Sequence, residues 1–394
     1  MANQSKISVT ADDVLAISAF NDAGATHHET ACRYLAGQGL RVRWICVNPV
    51  RWPSSVWPSE TFMADPRPRS STTLGKLAWQ TSLTAHIARL AWNHQGVIYV
   101  CGSYATPAIY PLLPFLSGKT IFYHTQDYLE PSHHPGRSRI ERAVCRRARF
   151  VFVNETNRGR FLQSNYGLSE TPITIPTALP LDWPVARRSS SPRRFGQTVI
   201  EEGAISLLHL GGYATNRCTP TLLEALGRLG DRYRLIFTGS PPGSPSEKQI
   251  TDHAGRLGIQ RQIITLPYLA YADVFQLIAD ADLGILLYPN DGVGNFYQSP
   301  GRLTEFAASG IPIVTSRFPG LENLLFKHSI GTCADPTSPD DLATAIRAAI
   351  EAHPPSPATH ERIRSIFRKE LAYEVHGERL LAPFRQALSE NNDR

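Results

Sequence analysis

At 394 residues the chain is too long for one ordinary hydrophobic core and, at about 100–200 residues per domain, reads as two domains. Its 42% hydrophobic and 19% charged residues exclude wholesale disorder. The net charge of +6 is modest, no aromatic-interleaved or zinc-finger pattern points to nucleic acid, and no apolar run approaches the roughly 20 residues needed to span a bilayer.

The first strand is predicted at 14–20, after a polar start that lacks a signal-peptide pattern, and a helix follows at 26–38. A strand at 42–47 leads into 48–71, which holds Trp52, Trp57 and the prolines Pro49, Pro53, Pro58, Pro66 and Pro68 without a period. That stretch is too long for an idle connection and is expected to be a lid or an acceptor-binding loop. A helix at 74–93, strands at 97–100 and 120–123, a helix at 137–147, a strand at 150–153, a helix at 155–166 and a strand at 173–175 complete the first half. The helix at 137–147 and its exit crowd together Arg137, Arg139, Arg142, Arg146, Arg147 and Arg149. Such a basic face can be simply solvated, or can meet phosphates or an anionic membrane surface.

Residues 186–203, rich in Arg, Ser and Pro, have the composition of an exposed linker. Beyond them the alternation restarts with strand 205–210, helix 219–229, strand 234–238, helix 247–257, strand 263–266, helix 272–279, strand 283–287, helix 301–309 and strand 311–314. Strands alternating with helices throughout specify an α/β protein of two Rossmann-like, doubly wound parallel sheets. The expected division is a first domain at 1–185, a linker at 186–203, a second domain at 204–362 and a C-terminal helix at 363–394. The cysteines Cys32, Cys46, Cys101, Cys145, Cys218 and Cys333 are scattered singly, as expected of reduced thiols in a cytoplasmic protein.

Ligands of open α/β sheets bind at the carboxyl ends of strands, which directs attention to four junctions. The first strand runs into a small-residue turn containing Gly24 and followed by His28, where backbone amides can face an anion. The strand at 120–123 opens into His124-Thr125-Gln126-Asp127, where His124 can donate to a ligand oxygen and Asp127 can orient it or bind a hydroxyl. Strand 205–210 ends at Gly211-Gly212, which admits a diphosphate without a Cβ obstruction, and Arg217 follows as a charge partner for phosphate. The fourth junction is Ser299-Pro300-Gly301-Arg302-Leu303-Thr304-Glu305, a helix start that keeps Arg302 and Glu305 on one face. A carboxylate there can take both hydroxyls of a ribose while the arginine holds phosphate; a plain surface ion pair is the alternative reading.

At this last motif, continued by Ala308-Ser309-Gly310-Ile311-Pro312-Ile313, the sequence resembles the retaining GT-B glycosyltransferases of family four, of the group 1 type. Gly24 with His28, His124, Ile175-Pro176, Asp182, Gly211-Gly212 and Tyr288-Pro289 extend the resemblance over nearly the whole chain. It implies two Rossmann-like domains facing across a cleft, closed by a C-terminal helix crossing back to the first domain. It further implies a nucleotide-sugar donor with Glu305 on the ribose, Arg217 and Arg302 on the diphosphate and His124 on the transferred sugar. The implied activity is metal-independent transfer of a hexosyl group to an acceptor hydroxyl, with no cofactor, an unspecified acceptor and a cytoplasmic location, peripheral at the inner membrane face if the basic stretch meets lipid. Two positions depart from the family pattern: Tyr297 stands where many members carry a second glutamate, and Gly212 where many carry a basic residue. A sugar-nucleotide epimerase, or a catalytically silent sugar-nucleotide-binding partner, are the alternatives. A dehydrogenase is disfavoured by the absence of a GxGxxG fingerprint with its acidic partner.

Overall fold

The computed structural model describes residues 12–19, 26–47, 56–57, 59–67, 72–189 and 193–392. The chain forms two compact units, one of Met1–Pro176 with His376–Arg394, the other of Thr177–Val375. In chain order the first unit contains β1 (Val14–Ser18), α1 (Thr26–Gly37), β2 (Val42–Cys46), β3 (Phe62–Pro66), α2 (Thr73–Trp92), β4 (Val97–Cys101), α3 (Thr106–Ile109), β5 (Thr120–Thr125), α4 (Pro135–Arg147), β6 (Phe150–Val153), α5 (Thr156–Tyr166) and β7 (Ile173–Thr174). The strands form one sheet in the order β3-β2-β1-β4-β5-β6-β7, parallel throughout. Its central strands, Val-Leu-Ala-Ile-Ser in β1 and Val-Ile-Tyr-Val-Cys in β4, are buried along their whole length. That is why they read as unbroken apolar runs: helices cover both faces of a parallel sheet.

The second unit continues with β8 (Arg194–Phe195), β9 (Thr198–Val199), β10 (Ile205–His209), α6 (Thr219–Leu229), β11 (Tyr233–Phe237), α7 (Pro245–Leu257), β12 (Ile263–Thr265), α8 (Tyr271–Asp280), β13 (Leu283–Leu286), α9 (Val293–Phe296), α10 (Gly301–Ser309), β14 (Ile313–Ser316), α11 (Pro319–His328), β15 (Gly331–Ala334), α12 (Pro339–Ala352) and α13 (Pro357–Ile366). Its six-stranded sheet runs β12-β11-β10-β13-β14-β15, again parallel. The apolar stripe Leu222, Leu223, Leu226 and Leu229 of α6 packs into the same core as Ile346, Ala349 and Ile350 of α12. Helix α10 lies unusually close to the sheet, because a Cβ on Gly284 in β13 would fall 2.7 Å from the Phe306 ring. The helix ends at Gly310, whose φ of 83° and whose contact with the His360 carbonyl, 2.6 Å from an ideal Cβ, both exclude a side chain.

The elements differ from the expectations in several places, among them α11, β15 and α12, which lie beyond the last strand expected, at 311–314. Within 48–71, β3 adds a parallel edge strand to β2; its half-exposed Phe-Met-Ala-Asp-Pro lacks alternation, and its terminal Pro66 is tolerated because it sits at an edge. Residues 48–55, 58 and 68–71 lie outside the described residues, as does Gly24, so the lid expectation stays with them. The supposed C-terminal helix at 363–394 is broken: α13 ends at Ile366, a π-helical turn spans Phe367–Leu371, Ala372 is extended, and α14 (Tyr373–Asn392) begins anew. In the first unit, Phe384 of α14 packs its ring 4.7 Å from Phe122 and 5.1 Å from Tyr99, centroid to centroid.

The described residues of 186–203 are mostly exposed, as expected of a linker, but part of the segment is tethered. Arg188 and Arg193 both pair with the buried Asp282, Arg193 at 2.8 Å, and the Ser206 amide and hydroxyl each donate to the same carboxylate at 2.8 Å. The Ser189 amide and hydroxyl donate to Asp280 at 2.6 and 2.9 Å. Arg188, Arg193 and Ser189 thus supply partners for two buried acids at the entry of β13. The arginine-rich helix α4 spends its charge in the same way: Arg147 donates to the carbonyls of Leu116, Ser117 and Lys119, Arg146 to that of Tyr166, and Arg149 pairs with Glu390. Arg139 and Arg142 remain exposed. No helix among the described residues is long and apolar enough to cross a membrane.

Burial pushes the Asp282 carboxyl up, but Arg188, the Ser206 amide and Arg193 outweigh it and hold the group below its ordinary value. A native pKa below the unfolded one means that the stabilisation is complete above about pH 4 and is lost as pH falls through the native value. Asp282→Asn removes the charge between two arginines, at a cost of about 3–5 kcal/mol, and should lower the melting midpoint at pH 7 by roughly 10 °C. Thermal denaturation should also show a smaller difference between pH 7 and pH 3 in the variant. A variant that melts with the parent would mean that other contacts hold the segment.

Candidate functional site

In each sheet the strand order reverses direction once, between β1 and β4 in the first unit and between β10 and β13 in the second. Connections leave to opposite sides at such a point, so the carboxyl ends there are open to a ligand.

In the first unit this edge gathers His28, Gly102 and His124. The register places Cys101 opposite His124, and the Gly102 amide donates to the His124 carbonyl at 2.7 Å. His28, on the first turns of α1, comes so close to Gly102 that an ideal Cβ there would lie 3.0 Å from its ring. The His28 and His124 rings meet edge to face at 5.7 Å. Both are buried, and neither ring nitrogen of His28 nor Nε2 of His124 has a hydrogen-bond partner. Burial holds His28 near about 4, while burial reinforced by His28 and His27 holds His124 well below its ordinary value. Both are neutral imidazoles at neutral pH, suited to hydrogen bonding rather than to delivering a proton.

The group that orients His124 is Tyr99 of β4, whose hydroxyl lies 2.5 Å from Nδ1. When that hydroxyl donates, the ring proton resides on Nε2, which then has a donor to offer. Asp127 does not take this part: it is exposed, and its carbonyl accepts from the Thr125 hydroxyl at 2.9 Å. Sequence reasoning missed Tyr99, although a tyrosine inside an otherwise aliphatic buried strand signals a hydroxyl in need of a partner. The loop beyond His124 is held by buried Arg158, which donates to the Gln126 carbonyl and to Asn154 Oδ1.

In the second unit the edge gathers Gly211, Gly212, Arg217, Tyr288 and the start of α10. Arg217 lies over the Tyr288 ring at 4.7 Å, and no carboxylate among the described residues pairs with it. The face of Gly212 is filled by two serines: a Cβ would fall 2.4 Å from Ser246 Oγ and 3.0 Å from Ser240 Oγ, and the Tyr213 amide donates to Ser246 Oγ at 2.7 Å. The place where a basic residue was looked for is thus occupied by hydroxyls. His209, the last residue of β10, is buried with both ring nitrogens unpartnered; burial, with Arg217 beside it, brings it down to about 4.

Helix α10 starts after half-buried Ser299, and one turn in it carries Glu305, which is 7% exposed. Its Oε2 accepts from Arg302 Nη1 at 2.7 Å and its Oε1 from the Tyr271 hydroxyl at 3.1 Å. The Arg302 side chain is 40% exposed, so this is a buried carboxylate gripped by a half-exposed guanidinium rather than a surface pair. Burial, then Glu305, push the Tyr271 hydroxyl up, which keeps it a neutral donor. Two bonds leave a carboxylate further acceptor positions, so Glu305 is held in place with lone pairs to spare. Tyr271, packed edge to face on Trp183, carries no sequence signal, because its partner is 34 residues away.

Residues 191–367 match the family profile described as Glycosyl transferases group 1. None of the curated proteins matches the chain closely in sequence. Among solved structures, that of HepE from Anabaena in complex with UDP and glucose superimposes with a TM-score of 0.71 at 18% identity, covering 96% of this chain and 100% of that chain. Sucrose-phosphate synthase from Thermosynechococcus elongatus does so with a TM-score of 0.72 at 15% identity over 96% and 99%. WaaG, a glycosyltransferase involved in lipopolysaccharide biosynthesis, follows with 0.62 at 16% over 95% and 99%. The two parallel-sheet α/β domains are therefore those of the GT-B type that the sequence led one to expect.

Tyr99→Phe tests the hydrogen bond at His124. It strands a buried imidazole nitrogen at a cost of about 1–3 kcal/mol. Nitrogen-15 NMR of labelled histidine should show the Nε2–H tautomer of His124 in the parent and lose that preference in the variant. An unchanged tautomer in the variant would mean that Tyr99 does not set it.

Proposed function

We propose that this protein is a glycosyltransferase that moves a sugar from a nucleoside diphosphate to an acceptor hydroxyl with retention of configuration. The observation that carries the reading is Glu305: a buried carboxylate, fixed by Arg302 and Tyr271 at the ligand edge of a domain of the group 1 type, with acceptor capacity left over. In this reading Glu305 takes the two ribose hydroxyls. The diphosphate meets Arg217, Arg302, Ser299, the amides opening α10 and the turn at Gly211-Gly212. No metal or cofactor is required, since cationic side chains and helix-end amides stabilise the leaving diphosphate. The structures of HepE with UDP and with UDP-glucose make uridine nucleotides the first donors to try.

His124 is proposed to act on the transferred sugar. A neutral Nε2–H can hydrogen-bond a sugar hydroxyl and strengthen that bond as positive charge grows at the anomeric carbon. Gly24 and His28 complete the first unit's contribution, and exposed Asp127 is left to bind a hydroxyl. The acceptor is unspecified; Arg139 and Arg142 on α4 are the groups through which a peripheral contact with an anionic membrane would run. A second reading, a silent sugar-nucleotide-binding partner, is favoured by Tyr297 in place of a second glutamate and by the serines packed against Gly212. Turnover of a nucleotide sugar separates the two readings.

Glu305→Ala should weaken nucleoside diphosphate binding roughly ten- to hundredfold, because hydrogen bonds to a charged acceptor are worth about 1.5–3 kcal/mol. Calorimetric titration measures this directly. Parent-like affinity in the variant would remove the ribose assignment and the reading built on it.

A further inference from the structure

A pocket of about 540 Å³ lies in the second unit among Arg187, Arg188, Ser356, His360, Glu361 and Arg364. It stands away from the ligand edge of the sheet. Arg188 pairs with Asp282, which precedes β13, whereas Tyr288 follows that strand's other end. Arg364 donates to the carbonyl of Ser309, the last residue of α10, at 3.0 Å, while the amides proposed to meet phosphate open that helix. A nine-residue helix is about 13 Å long, so the two places are not the same site.

The pocket's positive charge is not balanced from within. Arg188 is satisfied by Asp282, and Arg368 takes up Glu361, the one acid of the lining. Arg187 is exposed and has no carboxylate partner among the described residues. Arg364 spends one guanidinium nitrogen on the Ser309 carbonyl and keeps its buried Nε unpartnered. Burial, with Arg368 and Arg187 acting in the same direction against Glu361, draws Arg364 below an arginine's ordinary value. His360 is 6% exposed, and its buried Nε2 has no partner. Burial, then Arg188 and Arg364, hold it near about 4, so it is a neutral ring whose N–H can be donated. A half-buried guanidinium with one nitrogen unpartnered, a buried imidazole with one nitrogen unpartnered and an exposed guanidinium without a counter-charge thus line one pocket, where nothing in the transfer reaction requires them.

We infer that this pocket binds the phosphoryl group of a small soluble anion, as a site separate from the nucleotide site. A phosphate dianion pairs with the Arg187 guanidinium and with that of half-buried Arg364, which answers the unbalanced positive charge with charge-assisted bonds. The volume lies within the roughly 300–1,000 Å³ of small-molecule sites and exceeds what a bare phosphate fills, so the ligand class is a phosphate monoester such as a sugar phosphate.

The test titrates glucose 6-phosphate and, separately, inorganic phosphate into the full chain already saturated with nucleoside diphosphate, so that the other phosphate-binding groups are occupied. Nucleotide affinity, measured first, reports on the transfer reading alone. The expected result is saturable binding of at least one anion, weakened about tenfold or more by Arg187→Ala and abolished by Arg187→Glu, with nucleotide affinity and melting midpoint unchanged. Tighter binding of the ester identifies the monoester as the ligand, and equal binding identifies phosphate alone. Arg187 is exposed and its side chain holds no structural bond among the described residues, so both variants should fold. Absence of saturable binding at millimolar anion, or parent-like binding by both variants, would overturn the site.

Discussion

Parallel strands send every carboxyl end to the same edge of a sheet, and the positions of the candidate ligand groups follow from that constraint. His124 is the penultimate residue of β5, His209 closes β10, and Tyr288 follows β13, so three side chains from three separate stretches of sequence lie at such edges without any local motif joining them. The reversal of strand order beside β1 and beside β10 leaves room there for a ligand. The opposite edges do different work: Asp282 and Asp280, at the entry of β13, gather arginines and serines from the segment that leads into the second sheet.

The seat of Glu305 shows how packing prepares chemistry. Gly284 lets the Phe306 ring lie against the sheet, and Gly310 both turns the chain and lets the α13 backbone approach. Helix α10 is thereby fixed at its middle and at its end, and the carboxylate one turn in has little freedom to move. Burying such a charge costs free energy unless it is bonded, and the bonds come from Arg302 on the same helix and Tyr271 on another. A carboxylate held this way keeps acceptor positions open, as the proposed ribose contact requires. The same economy applies at His124, where one nitrogen is bonded to Tyr99 and the other has no partner.

The fold was legible wherever burial on both faces wrote an apolar run into the sequence, as in β1, β4, β10 and β13, and wherever glycine or proline marked a helix end, as at α10. It was illegible in β3, where a half-exposed edge strand has neither alternation nor an apolar run, and in the pairing of Arg188 and Arg193 with buried Asp282, about 90 residues away. The break at Ala372 was hidden because the residues around it keep a helical pattern on both sides. At the site, His124, Arg302 and Glu305 stood out as polar residues at junctions, but Tyr99 and Tyr271 did not. Their roles are defined by partners 25 and 34 residues away, and no local pattern records a contact made only by the tertiary fold. Asp127 was singled out for its nearness in sequence to His124, and the strand's end carries it outward instead.

The central claim is that Glu305 is a ribose acceptor, and diffraction from crystals of the protein grown with a nucleoside diphosphate examines it most directly. The account predicts both ribose hydroxyls within hydrogen-bonding distance of the Glu305 carboxylate and the diphosphate alongside Arg217 and the first amides of α10. A nucleotide seated elsewhere, with Glu305 still engaged only by Arg302 and Tyr271, would contradict it.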